Sequence, residues 1–245
     1  MQIKEVIESS KRHWQTALPH LSIDCVVFGF DQQKLNVLLL KLKDNADNWI
    51  LPGGYVLKEE ALDDAAKRIL RERSGADKIF LNAFNVFGDL NRSEGYFTEY
   101  DDDLWHKQRF VTIGYYALVD HESVTPKADA SSEDCKWMPI DDLPKMVMDH
   151  KTIIKNALAT LREQIRYKPI GYNLLPKEFT MPELQRLYEA VLGYKLNRGN
   201  FYRRIMRYNI LTKLDKERKG GAHKSPILYS FDKENYQKAL SEFSW

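Results

Sequence analysis

Five carboxylates, Glu59, Glu60, Asp63, Asp64 and Glu72, fall within one short stretch of this chain, and carboxylates so placed can hold a divalent cation. Mg²⁺ takes hard oxygen ligands in near-octahedral array, usually carboxylates, water and substrate phosphate. Residues 69, 72 and 73 stand at i, i+3 and i+4, so on a helix they share a face. That face offers one carboxylate, Glu72, beside the aliphatic Ile69 and the guanidinium of Arg73. Arg73 places a fixed positive charge where a cation would have to sit. Glu72 can instead pair with Arg68, a surface contact worth about 0.3–0.5 kcal/mol. Glu59, Glu60 and Asp64 leave room for a weak or relocated site. The residues argue against metal-assisted hydrolysis.

A second constellation lies near the other end. Asn197, Arg198, Asn200, Tyr202, Arg203, Arg204 and Arg207 share one helical stretch, with Asn197 a good N-cap and Phe201, Ile205 and Tyr208 its inward stripe. Two strand-like runs, 210–214 and 227–231, flank a glycine-containing tip with Lys216, Arg218, Lys219, His223 and Lys224. Arg and Asn at the start of a groove-bound helix read guanine and adenine edges, whereas Lys and Arg on a hairpin hold phosphates. Two helices followed by a basic hairpin is the order of a winged helix. A solvated basic appendage would show the same charges.

The elements that must position these groups can be read from periodicity. Ser22–Phe30 and Leu35–Lys41 alternate as a hairpin around Asp31–Lys34. Trp49–Tyr55 is a short strand that breaks into a glycine turn. Residues 61–74 form a helix with Leu62, Ala65, Ala66, Ile69 and Leu70 on one stripe and Gly75 as its C-cap. Strands are expected near 80–90, 111–119 and 134–139, and a closing helix from His150 to about Ile165. The polar segment 91–108 contains Tyr96, Phe97, Tyr100, Trp105 and Asp101–Asp103, a composition that suits sugar recognition, a solvated lid or a dimer contact. After a Pro/Gly-punctuated joint at 169–180, Thr180 and Glu183 make a capping box for a helix to Gly193, with Leu184, Leu187, Tyr188, Val191 and Leu192 on its apolar side.

At 245 residues the chain suits two domains, with an extension over 1–20, a body over 21–165 and a basic part over 166–245. Hydrophobic content of 43% and charged content of 29% are those of a soluble globular protein. The first twenty residues are too polar for a signal peptide, and no apolar run spans a bilayer. Cys25 and Cys135 lack metal-ligand spacing and read as buried thiols of a cytoplasmic protein. The net charge of +2 hides a division: residues 166–245 hold 16 Lys and Arg against 8 Asp and Glu, and residues 1–165 hold 21 against 27. An acidic body with a basic tail implies that the tail meets a polyanion.

Gly54, Glu60, Arg68, Leu70, Glu72, Gly75 and Ala76 fall in register with the Nudix box, which this stretch resembles, while Ile69 and Arg73 stand where that family has glutamates. The resemblance implies an α/β class, a Nudix-like α/β/α sandwich with a mixed sheet, over roughly 20–165. The runs Asn173–Thr180, Leu184–Ala190 and Asn200–Arg204 resemble the joint and winged helix-turn-helix domain of the Nudix-related transcriptional regulators. That family implies a dimer on an operator in double-stranded DNA, controlled by a small-molecule effector. One branch responds to ADP-ribose and another to sugars such as L-arabinose. Loss of a carboxylate at 69 leans toward the sugar branch, although Arg73 could salt-bridge a phosphate. Trp49, Gly53, Gly54, Tyr55 and Arg73 are the expected effector contacts, with no metal, cofactor or membrane partner. The competing expectation is an active Nudix pyrophosphatase of a nucleoside-diphosphate derivative with an appended nucleic-acid-binding module. Mg²⁺-dependent release of AMP or phosphate from ADP-ribose would support that alternative, and restoring glutamate at both 69 and 73 tests whether the missing carboxylates alone account for lost metal binding.

Overall fold

The chain opens with an amphipathic helix, α1 (Ile3–Thr16), in a region that sequence reading left as an extension. Its buried Val6 and Ser10 face inward, and Ser10 Oγ accepts the backbone N–H of Trp105 at 2.7 Å. The computed structural model describes residues 3–31, 33–43, 47–75, 81–217 and 226–242. They divide into two units, one of Met1–Gly29 with Asn36–Ala157 and one of Phe30–Leu35 with Leu158–Trp245.

In the first unit, β1 (Ala17–Phe30), β2 (Leu35–Leu42), β3 (Trp49–Ile50) and β4 (Gly53–Leu57) precede the helix α2 (Leu62–Ser74). Then come β5 (Leu81–Phe87), β6 (Val111–Asp120), β7 (Ser132–Pro139) and α3 (His150–Gln164), inside which the division between the units falls. The sheet runs β3-β2-β1-β6-β5, with β4 on β1 and β7 on β2. An isolated parallel bridge also joins Trp49 to Met146. Ile23, Cys25 and Val27 of β1 pack with Ala65, Ala66, Ile69 and Leu70 of α2. The alternate residues Val26 and Phe28 are buried too, so the sheet is covered on both faces. Leu62, counted on the apolar stripe of α2 from its spacing, is instead exposed, since it sits in the first turn beyond the sheet's cover. β1 starts earlier than alternation indicated because a bulge between Ala17 and Ser22 breaks the period.

In the second unit, β8 (Phe179–Thr180) leads into α4 (Met181–Leu192), α5 (Arg198–Arg207), the hairpin β9 (Leu211–Glu217) and β10 (Ile227–Phe231), and α6 (Lys233–Glu242). The three strands order β8-β10-β9. Thr180 and Glu183 close the capping box, and Gly193 ends α4 at φ +80° with its N–H on Glu189 O. Sequence reading did not anticipate α6, which among its described side chains brings Tyr236, Ala239 and Leu240 to the core around Ile210.

The segment 91–108 is neither bare loop nor free lid. It winds into two short 3₁₀ turns, Glu94–Phe97 and Trp105–Lys107, and Trp105 is 1% exposed among Ala17, Tyr55 and Phe110. Trp14 of α1 meets Trp105 edge-on at 4.9 Å and donates to Asp103 O. His13 and His106 complete this cluster, their rings 5.5 Å apart. Burial pushes both imidazoles down to about 4, reinforced at His106 by His13 and Arg12 and at His13 by Arg12. Between pH 6.5 and about 4 the unfolded chain therefore binds more protons than the folded one, and stability falls as pH drops through that window. We expect denaturant titrations to show this decline in the wild type and a shallower one in His106→Phe. An identical pH slope in the two proteins would contradict it.

Candidate functional site

Arg68 organises the turn between β4 and α2. Its Nε donates to Glu60 Oε2 at 2.9 Å, its Nη2 to Glu60 Oε1 at 2.5 Å and to Tyr55 O at 2.9 Å, and its Nη1 to Glu72 Oε2 at 3.1 Å. Glu60 Oε1 also accepts the Leu57 N–H at 2.7 Å. The Arg68 hydrogen bonds hold the Glu60 carboxyl below its ordinary value against the opposing effect of burial. Glu60 and Glu72 are thus both engaged by one guanidinium.

The face expected to hold metal ligands is divided by packing. Ile69 is 1% exposed in the core beneath the sheet. A Cβ on Gly54 would lie 3.1 Å from Ile69 Cγ1, so the glycine makes room for the branched side chain. Arg73 pairs with Asp129 and donates to Ser131 Oγ. Burial works to raise the Asp129 carboxyl, but Arg73 and the hydroxyls of Ser132 and Ser131 outweigh it and keep it low. An aliphatic group in the core, a guanidinium already neutralised and a carboxylate held by Arg68 do not fit Mg²⁺. Among the described residues, no group of three His, Cys, Asp or Glu side chains is placed to hold a metal ion.

The five expected effector contacts face different immediate neighbours. Gly54 opens toward Ile69 on the α2 side of β4, and Arg73 turns to Asp129. Gly53 opens toward Asp24, its cross-strand partner on β1. Tyr55 lies in the aromatic cluster, 4.8 Å from His13 and 5.0 Å from Phe110 by ring centroids. Trp49 is buried in β3, with its N–H on Lys145 O. Sequence reasoning passed over Asp129 and Asp24. For Asp24 a signal existed: it is the one charged residue in the run Ser22–Phe30, and alternation puts it on a covered face of the sheet.

The second site is a surface. Asn197 Oδ1 accepts the Asn200 N–H at 3.0 Å and caps α5, whose Phe201 and Ile205 are buried. Arg198, Asn200, Tyr202, Arg203, Arg204 and Arg207 are all exposed, so this expected set is gathered on one helix. Asn200, Arg203, Arg204, Arg207 and Tyr208 line a concavity, and Arg203 Nη2 donates to Asn200 Oδ1 at 2.6 Å. The turn from α4 to α5 is held by Glu189, which accepts from Leu196 N, Gln185 Nε2 and Lys195 Nζ. Burial opposes its charge, yet these partners bring its carboxyl down to about 2. Lys219, His223 and Lys224, expected on the wing, lie outside the described residues.

The packing of Ile69 sets the outcome of restoring both glutamates. A carboxylate at 69 would enter the apolar core against Gly54, at a cost of several kcal/mol unless it stays protonated. We expect Ile69→Glu with Arg73→Glu to unfold at clearly lower temperature and to gain nothing from Mg²⁺ in thermal melts. A folded double variant that Mg²⁺ stabilises would overturn this account of the box.

Comparison with known proteins agrees with both halves. The Nudix domain family matches residues 18–157, and the NrtR DNA-binding winged helix domain matches residues 171–231. The chain is 28% identical over 224 residues to the ADPR responsive transcriptional repressor NtrR of Acinetobacter baylyi, covering 89% of this chain and 84% of that one. The crystal structure of Shewanella oneidensis NrtR complexed with a 27mer DNA superposes with a TM-score of 0.71 at 27% identity, over 89% of this chain and 95% of that chain. A MutT/nudix family protein from Enterococcus faecalis shares the fold, with a TM-score of 0.64 at 20% identity, over 95% of this chain and 94% of the other. The chain belongs to the Nudix family, and its Nudix domain is followed by an NrtR-type winged helix domain.

Proposed function

We propose that this protein is a cytoplasmic, homodimeric transcriptional repressor that binds operator DNA through α5 and the wing and is controlled by a small effector held in the Nudix domain without hydrolysis. The observation that carries the reading is the exposed, N-capped α5, with Asn200, Arg203, Arg204 and Arg207 on a winged helix of the NrtR type. Ile69 in the core and Arg73 on Asp129 count against the pyrophosphatase alternative.

ADP-ribose is the first effector to test, because the repressor that matches over most of this chain is named for it. The lean toward L-arabinose has no support in the comparisons. Arg73, expected as a possible partner for a phosphate, is paired with Asp129 and so adds little grip on a diphosphate. An effector releases DNA only through its different affinity for the DNA-competent and incompetent states of the dimer.

Fluorescence anisotropy on duplex DNA from upstream of the protein's own gene should show sequence-selective binding that ADP-ribose weakens. Arg203→Ala or Arg204→Ala should lower DNA affinity by about 5- to 150-fold, the range of a lost base contact, and leave ADP-ribose affinity unchanged. Equal loss of both affinities, or no preference over random duplex, would contradict the reading.

A further inference from the structure

A cluster that the functions above leave unused lies on the sheet face opposite α2. Asp24 of β1 is nine-tenths buried, and its two oxygens face different donors. Oδ1 lies 3.8 Å from His150 Nε2 and Oδ2 lies 3.6 Å from Arg92 Nη2. Both distances exceed hydrogen-bond length, and the Asp24 side chain accepts no hydrogen bond among the described residues. Asp24 thus has two ion-pair neighbours but neither at hydrogen-bond distance, and a group so placed can take a closer partner. Its neighbours cannot close on it because each is held elsewhere. Arg92 donates to both oxygens of Asp149 at 2.8 Å and to Thr112 Oγ1 at 2.6 Å, and Thr112 Oγ1 in turn meets Ser22 Oγ.

His150 is fixed as well. Its Nδ1 accepts the Leu51 N–H at 3.1 Å, which leaves the proton of the neutral ring on Nε2, pointed at Asp24. Burial favours that neutral ring, against the pull of Asp24 and Asp149. Across β4, Gly53 supplies the space: a Cβ there would lie 2.3 Å from Asp24 Oδ1.

We propose that Asp24, His150 and Arg92 form the part of the effector site that binds a vicinal diol, the sugar end of the effector. Each Asp24 oxygen accepts one ligand hydroxyl, and the two hydroxyl oxygens accept N–H donors, one from His150 Nε2 and one from Arg92 Nη2. A hydroxyl both donates and accepts, so it fits a gap between a carboxylate and an N–H that neither can bridge alone. Asp24 and Asp149 outnumber Arg92, the guanidinium beside them, and Arg73, which also acts on His150, is paired with Asp129, so the site favours a neutral group over a phosphate. A metal ion is poorly served, because Asp149 is already committed to Arg92. The diol can come from a free aldopentose or from a ribose of ADP-ribose. This inference rests on the effector-binding reading above and assigns the residues of that site.

The test is isothermal titration of the full chain with ADP-ribose, L-arabinose and D-ribose, with and without Asp24→Asn, and circular dichroism to establish that the variant folds. We expect the wild type to bind at least one of them and Asp24→Asn to bind it about tenfold to a hundredfold more weakly, the range for hydrogen bonds to a charged group. Binding of a free pentose identifies that source; binding of ADP-ribose alone identifies the nucleotide's ribose. Deoxy counterparts lacking one hydroxyl of the diol should lose affinity on the wild-type chain, so the inference stays testable if the variant does not fold. Equal affinity of wild type and variant, or of diol and deoxy ligand, overturns the diol site while leaving the regulator reading intact. No binding by the wild type overturns the diol site too, and the anisotropy of DNA binding then decides the regulator reading separately.

Discussion

The Nudix domain of this chain is built around one guanidinium, Arg68, which closes the turn after β4 on the first part of α2. By taking Glu60, Glu72 and the Tyr55 carbonyl together, it fixes the helix against the strand that carries Gly53 and Gly54. That anchoring needs only Glu60, Arg68 and Glu72, so it survives without the neighbouring acidic positions. Ile69 then joins the core that Gly54 leaves open, and Arg73 finds its counter-charge in Asp129. The frame of the box is kept as architecture: Glu60 and Glu72 serve Arg68, Ile69 fills the core and Arg73 is paired with Asp129.

The same economy of carboxylates shapes the winged helix. Glu183 closes the start of α4, and Glu189 ties the turn that aims α5. The exposed surface of α5 itself carries no carboxylate and presents Arg198, Asn200, Tyr202, Arg203, Arg204 and Arg207. A helix anchored at its cap and at the preceding turn presents those side chains in fixed register, which is what base reading demands.

Much of this was legible from residue types. The capping box at Thr180, the cap at Asn197, the αL glycine at 75 and the hairpin at 22–41 follow from local chemistry, and local chemistry is what a sequence displays directly. Periodicity located α2, α3, α4 and α5 because each has a strong apolar stripe. It failed for α6, whose apolar contacts among its described side chains are Tyr236, Ala239 and Leu240, and for the start of β1, where a bulge interrupts alternation. Ile69 was counted both on the apolar stripe and on the expected ligand face, and only packing against Gly54 shows that the first assignment holds. The Asp24, Arg92, Asp149 and His150 cluster joins positions far apart in the chain, so no spacing announces it. The lone aspartate within a β-rich run was its only trace.

The central claim is that the Nudix domain holds its effector without breaking it. Incubating the protein with ADP-ribose and Mg²⁺ and following the phosphorus signals by NMR tests this directly. The diphosphate resonances should persist unchanged over hours at micromolar protein. Their replacement by those of AMP and ribose 5-phosphate, dependent on Mg²⁺, would show an active pyrophosphatase and contradict it.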